Sequence, residues 1–152
     1  MKKPVVFLDA DVIFAGAAAP TEQGASHVVL RMAEITLIEC VTSQQVVTEV
    51  ERNFKEKLPG KLPELQLILR RCLRVVSDPA PETLADCAGQ AHPKDLPILV
   101  AALTSGCRYL LTFNLRHYRP MESEMTVQRP GDFLTTVRVL LSQLESESPD
   151  DD

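Results

Sequence analysis

Long apolar runs are missing from this 152-residue chain: none approaches the roughly 18 residues a membrane-spanning helix needs. Aromatic side chains make up only 5% of it. No glycine-rich loop follows a strand to cradle a phosphate, which weighs against a nucleotide-binding Rossmann protein. No Gly-x-Ser-x-Gly elbow is present, and no histidine has the partners of a catalytic triad. The four cysteines, Cys40, Cys72, Cys87 and Cys107, show no metal-ligand spacing. They read as small buried residues of a reducing cytoplasm. An excess of positive charge is also lacking. The net charge of −5 argues against a general nucleic-acid binder. There is no internal repeat and no long linker.

The length suits one domain with a sizeable core. We take residues 1–144 as that domain and 145–152 as an acidic, disordered tail. Glu145, Glu147, Asp150, Asp151 and Asp152 crowd into these last eight residues. Without those five acids the body is near neutral. Lys2, Lys3 and the later Ala15-Gly16-Ala17-Ala18-Ala19 mimic an export signal, but Asp9 and Asp11 interrupt its apolar region. Between Arg52 and Arg74, seven basic residues stand against two acids. That excess could track a phosphate backbone, through Arg52, Lys55, Arg70, Arg71 and Arg74, or form a solvated helix face.

Strands and helices alternate. Val5-Val6-Phe7-Leu8 reads as a buried first strand. A short helix over Val12–Ala18 and a helix over Thr21–Ile35 follow, the latter with Val28, Val29, Met32 and Ile35 on its apolar face. The second strand is expected over Thr36–Val41. Ser43 then caps a helix to about Lys57. Pro59-Gly60 breaks the chain, and Pro63 sits near the start of a helix to about Leu73. Arg74–Val76 is a third strand and Glu82–Ala88 a short helix. Asp95–Ser105 is an apolar helix, Arg108–Thr112 a fourth strand, and Met125–Gln128 a fifth. A last helix runs from Pro130 through Leu144. This alternation implies a three-layer α/β/α sandwich around a parallel sheet of four or five strands.

Ligands of such a sheet sit outside the carboxyl ends of its strands. Asp9 lies there, with Asp11 two residues on, although both could simply end the strand and cap the next helix. Glu49 lies at one edge of the apolar face of its helix and Glu51 at the other; periodicity does not choose between them. Asp95 starts a helix with Pro97 in its first turn, which also suits a cap. Asn114 follows the fourth strand, where a turn asparagine is common. Taken together, these are three acids and an amide at one sheet edge. Clustered carboxylates repel unless a cation neutralises them, and hard oxygen ligands suit Mg²⁺ or Mn²⁺. Such ions can activate water and stabilise the leaving oxygen of a phosphodiester.

Phe7-Leu8-Asp9-Ala10-Asp11-Val12, Thr42 through Val50, Asp95 through Ala102, Leu110-Leu111-Thr112-Phe113-Asn114 and Pro130 through Leu134 together resemble the PIN-domain family, which contains many bacterial toxin ribonucleases. The likeness spans almost the whole chain. It implies a metal-dependent ribonuclease in which Asp9, Glu49 and Asp95 bind divalent metal and Thr112 and Asn114 complete the site. It also implies RNA as substrate, an antitoxin partner, and a homodimer. Many members carry aspartate where Asn114 stands; others have an aspartate shortly after, where this chain has His117. Asp11, Thr112 and His117 are therefore accessory candidates, and the set implies one well-held metal ligated mainly by Asp9 and Asp95.

Two other readings compete. Asp9-Ala10-Asp11-Val12 also resembles the haloacid-dehalogenase phosphatase motif, with an aspartate nucleophile. That chemistry needs a lysine and a late acidic pair, for which Lys94 and Asn114 are poor matches. Alternatively, the gap at Asn114 and His117 suits an inactive PIN domain that binds RNA or a protein. His92 is a cleft candidate, and His27 carries no signal.

Overall fold

The computed structural model describes residues 2–18, 24–121 and 124–146. The expected helix start at Thr21 and tail residues 147–152 lie outside them. Five parallel strands form one sheet: β1 (Val5–Leu8), β2 (Glu39–Ser43), β3 (Leu73–Val76), β4 (Tyr109–Leu111) and β5 (Thr126–Gln128), in the order β3-β2-β1-β4-β5. Phe7 of β1 pairs with Val41 on one side and Leu110 on the other. The central strand is apolar on both faces because helices cover both, and Val6, Phe7 and Leu8 are wholly buried.

The helices are α1 (Ala10–Ala18), α2 (Ala25–Glu34), α3 (Gln44–Lys57), α4 (Leu62–Cys72), α5 (Leu96–Thr104) and α6 (Pro130–Ser146). α1 to α4 pack on one another, while α5 lies against β2. Ser43 caps α3 as expected, its hydroxyl accepting from Val46 N–H at 3.4 Å. Val46, Val47, Val50 and Phe54 of α3 are buried. Gly16 lets α2 approach α1 closely: a Cβ there would lie 2.6 Å from a Leu30 methyl.

The second strand begins later than its sequence suggests. Thr36 has φ 65°, its N–H bonds Ala33 O at 3.1 Å, and Leu37 N–H bonds Met32 O at 2.9 Å. This left-handed cap ends α2 and turns 35–37 outward, so Ile35 and Leu37 are exposed and β2 starts at Glu39. The buried face of α2 is correspondingly Ser26, Val29, Leu30 and Ala33, without Ile35. The expected helix over 82–88 is a run of tight three-residue turns, Pro81–Cys87. All four cysteines are free thiols. Among the described residues no helix is long and apolar enough to cross a membrane.

Strand order matters most for function. From β1 the chain proceeds through β2 and β3 to one side; β4 and β5 lie on the other. The order reverses between β1 and β4, which opens a crevice at their carboxyl ends. Asp9 follows β1 there and Thr112 follows β4.

Candidate metal centre

Asp9 N–H gives the last rung from β1 to β4, bonding Leu111 O at 3.0 Å. The residue is only 8% exposed. Oδ1 accepts from Ala10 N–H at 2.8 Å. Oδ2 accepts from the hydroxyls of Thr112 at 3.0 Å and Tyr118 at 2.9 Å. Burial raises the Asp9 pKa above the usual carboxylate value despite these donors. Burial also raises the Tyr118 pKa, with the Asp9 charge adding to it, which keeps this phenol a donor.

Asp11 sits in the first turn of α1 and braces the loop after β4. Its Oδ2 accepts from Phe113 N–H at 2.9 Å and from Asn114 Nδ2 at 3.4 Å. Thr112 Oγ1 lies 3.4 Å from the same oxygen. A hydroxyl has one proton, so Thr112 is better placed to donate to Asp9 and accepts from Asn114 N–H at 3.0 Å. Asp11 Oδ1 is buried without a hydrogen-bond partner. Burial and then the Asp9 charge push the Asp11 carboxyl up to about 6.

Asp95 precedes α5 in the capping position, yet its side chain caps nothing. Its Oδ2 instead lies 2.8 Å from His117 Nδ1. The His117 ring stacks on His92, with centroids 5.5 Å apart, and His92 N–H bonds His117 O at 2.8 Å. Lys94 N–H donates to His92 Nδ1 at 3.3 Å.

These groups share one cleft of about 140 Å³, lined by Asp9, Asp11, Glu49 and Asp95 with Lys94, His92, Asn114 and His117. Glu49 enters it and Glu51 does not, which resolves the ambiguity of register on α3. Burial raises the Glu49 carboxyl, Asp9 and Asp95 raise it further, and Lys94 and Arg52 oppose them. Among the described residues, no three acid, histidine or cysteine side chains yet converge tightly enough to enclose an ion. The donor set nonetheless fits a hard cation: four carboxylates face one lysine, three of them hold their protons more firmly than in water, and one buried oxygen is unpartnered.

A profile of the PIN domain matches residues 5–116. The chain belongs to the PIN-domain family. No curated protein sequence matches it. Among solved structures, VapBC2 from Rickettsia felis, bound to a DNA fragment from their promoter, is similar with a TM-score of 0.58 at 14% identity, covering 82% of this chain and 98% of that one. VapC20 from Mycobacterium tuberculosis, a sarcin-ricin loop cleaving toxin, gives a TM-score of 0.49 at 15% identity, over 69% of this chain and 86% of that one. Membership in the PIN-domain family displaces the haloacid-dehalogenase reading of Asp9 and Asp11.

The PIN fold gathers the expected acids, but it divides the basic stretch. Arg52 is close enough for its charge to reach Glu49. Arg70 and Arg71 end α4, immediately before β3, and so lie at the amino edge of the sheet. Arg74 is there too, bonded through Nε to Glu39 Oε1 at 2.7 Å. Tyr118, which the sequence reading missed, owes its place to an antiparallel bridge between Ala91 and Tyr118. No local pattern signals such a pairing.

Proposed function

We propose that this protein is a divalent-metal-dependent ribonuclease that hydrolyses RNA phosphodiester bonds. The observation that carries the reading is that Asp9, Asp11, Glu49 and Asp95 line one cleft at the switch point of a PIN fold. Asp9, Asp95 and Glu49 would hold Mg²⁺ or Mn²⁺, with Asp11, Asn114 and Thr112 completing the surroundings. The cation, when bound, supplies Lewis acidity and an activated water for attack on phosphorus.

The protein's own part is orientation. Thr112 and Tyr118 fix one oxygen of the Asp9 carboxylate, and Ala10 N–H fixes the other. Asp11 holds the loop after β4 against α1 through Phe113 N–H. Lys94, on the cleft wall, is placed to attract a phosphate. Arg52 and Lys55 extend the basic surface along α3; Arg70, Arg71 and Arg74 would serve only an RNA long enough to reach the far edge.

An apolar groove of about 520 Å³ between α2 and α6, lined by Met32, Leu37, Val137 and Leu141, supports a protein partner. We assign it to an antitoxin segment or to a second copy in a homodimer, in a cytoplasmic setting. The toxin role follows from the same family reading. A non-cleaving PIN domain is favoured by one observation, the neutral Asn114 at the cleft.

Cleavage of RNA by the purified full chain, in Mn²⁺ and in chelator, tests the proposal. Metal-dependent cleavage that disappears in Asp9→Asn and in Glu49→Gln supports it. RNA binding without cleavage in any divalent metal would establish the non-cleaving reading.

A further inference from the structure

We propose that His117 shares the divalent cation with Asp95, so that the centre combines three carboxylates with an imidazole and prefers Mn²⁺ to Mg²⁺. The inference rests on the metal reading of this cleft and specifies its ligands and selectivity.

The first ground is spacing. His117 Nδ1 and Asp95 Oδ2 are 2.8 Å apart. Neighbouring ligands of an octahedral ion with bonds of about 2.1 Å lie about 3 Å apart, so this spacing is compatible with a shared cation in place of the shared proton. The second is preorganisation. His117 N–H bonds Asn114 O at 3.0 Å, its carbonyl accepts from His92 N–H at 2.8 Å, and its ring stacks on His92. Little conformational freedom remains to be lost on ligation. The third is access. His117 lines the same cleft as Asp9, Glu49 and Asp95, and its side chain is 47% exposed. His92 cannot take the role through Nδ1, because that nitrogen already accepts from Lys94 N–H. Its stacking instead steadies the His117 ring.

The chemistry then separates the metals. Carboxylates suit Mg²⁺ and Mn²⁺ alike, whereas imidazole suits first-row transition ions and is a poor ligand for Mg²⁺. The neighbouring Asn114, a neutral amide turned toward Asp11, adds no charge to favour the harder ion.

Pulsed electron paramagnetic resonance of Mn²⁺ bound to the full chain reads the ligand directly. Coupling to a directly bound nitrogen is expected in wild type and in His92→Gln, and should vanish in His117→Gln. Calorimetric titration of His117→Asp should show the ratio of Mn²⁺ to Mg²⁺ affinity falling, because a carboxylate serves both ions alike. Tight Mn²⁺ binding with no nitrogen coupling, or coupling that survives in His117→Gln, overturns this assignment and leaves the metal reading standing. No Mn²⁺ binding by wild type overturns both.

Discussion

The two edges of the sheet treat charge in opposite ways. At the amino edge, Glu39 of β2 meets Arg74 of β3 at 2.7 Å, and both side chains are well exposed. Opposite charges in water stabilise each other by about 1 kcal/mol at most. At the carboxyl edge, Asp9, Asp11 and Glu49 are drawn from water toward one another, and burial and repulsion raise all three pKa values. The first edge serves solubility and a little stability. The second holds like charges close together and partly out of water, with only Lys94 and Arg52 to oppose them at Glu49.

The largest effect should separate the edges outright. Asp95→Asn is expected to lower metal-dependent RNA cleavage by more than the roughly hundredfold that loss of a supporting contact costs. Glu39→Gln should leave cleavage unchanged and shift stability by no more than about 0.5 kcal/mol. Steady-state cleavage rates and thermal melts of the two variants check this pair. Equal losses at both edges would erase the distinction.

Tyr118→Phe comes next. It removes one of three donors to Asp9 without leaving a cavity. Folding should weaken by about 1–2 kcal/mol at neutral pH, and Mn²⁺ affinity should fall roughly tenfold or more. Denaturant melts and calorimetry measure the two. Unchanged metal affinity would reduce Tyr118 to a packing residue.

The carboxyl edge also sets a pH dependence. The Asp11 carboxyl moves from an ordinary 3.8 to about 6 on folding, so the folded state binds more protons across that window. Stability of metal-free protein from this group is therefore greatest below pH 3.8 and is lost as pH rises through about 6. Asp11→Asn should flatten that part of the profile, read by melting temperature against pH in chelator. A wild-type profile that rises across the window would reverse the sign assigned to this edge.

How much of this was legible in the residues depends on the range of the interactions. β1 and the acid after it could be read because a strand buried on both faces is apolar throughout and ends abruptly at Asp9. Ser43 could be read because its cap is local. The start of β2 could not: Ile35, Leu37 and Ile38 look like strand, and only the left-handed Thr36 shows that the helix cap comes first. The carboxylate of Asp95 was ambiguous for a similar reason, since its position before α5 suits a cap and tertiary structure alone turns it to His117. Arg70, Arg71 and Arg74 were grouped with Arg52 by sequence proximity. Yet the crossover from β2 to β3 uses two helices: it leaves the carboxyl edge through α3, which carries Arg52, and reaches the amino edge at the end of α4, which carries Arg70 and Arg71.

A last effect concerns the backbone that leads into the amino edge, where Thr36 lies beside Glu39 and Arg74. A β-branched residue at φ 65° is strained. Thr36→Gly should stabilise the protein by about 1 kcal/mol, since glycine adopts that conformation without the side-chain clash. Cleavage should not change. Destabilisation in a denaturant melt would show that the Thr36 side chain contributes more than its backbone strain costs.

The central claim is that the carboxyl edge is built for a cation. Its most direct test is the melting temperature of metal-stripped full-length protein at neutral pH, with and without Mn²⁺, for wild type, Glu49→Gln and Asp95→Asn. At a hundredfold excess over Kd, linkage stabilises by about 2.7 kcal/mol, which corresponds to roughly 5–10 °C in a chain of this size. The account predicts that rise in wild type and a much smaller one in both variants. No rise in wild type, or equal rises in all three, would contradict it.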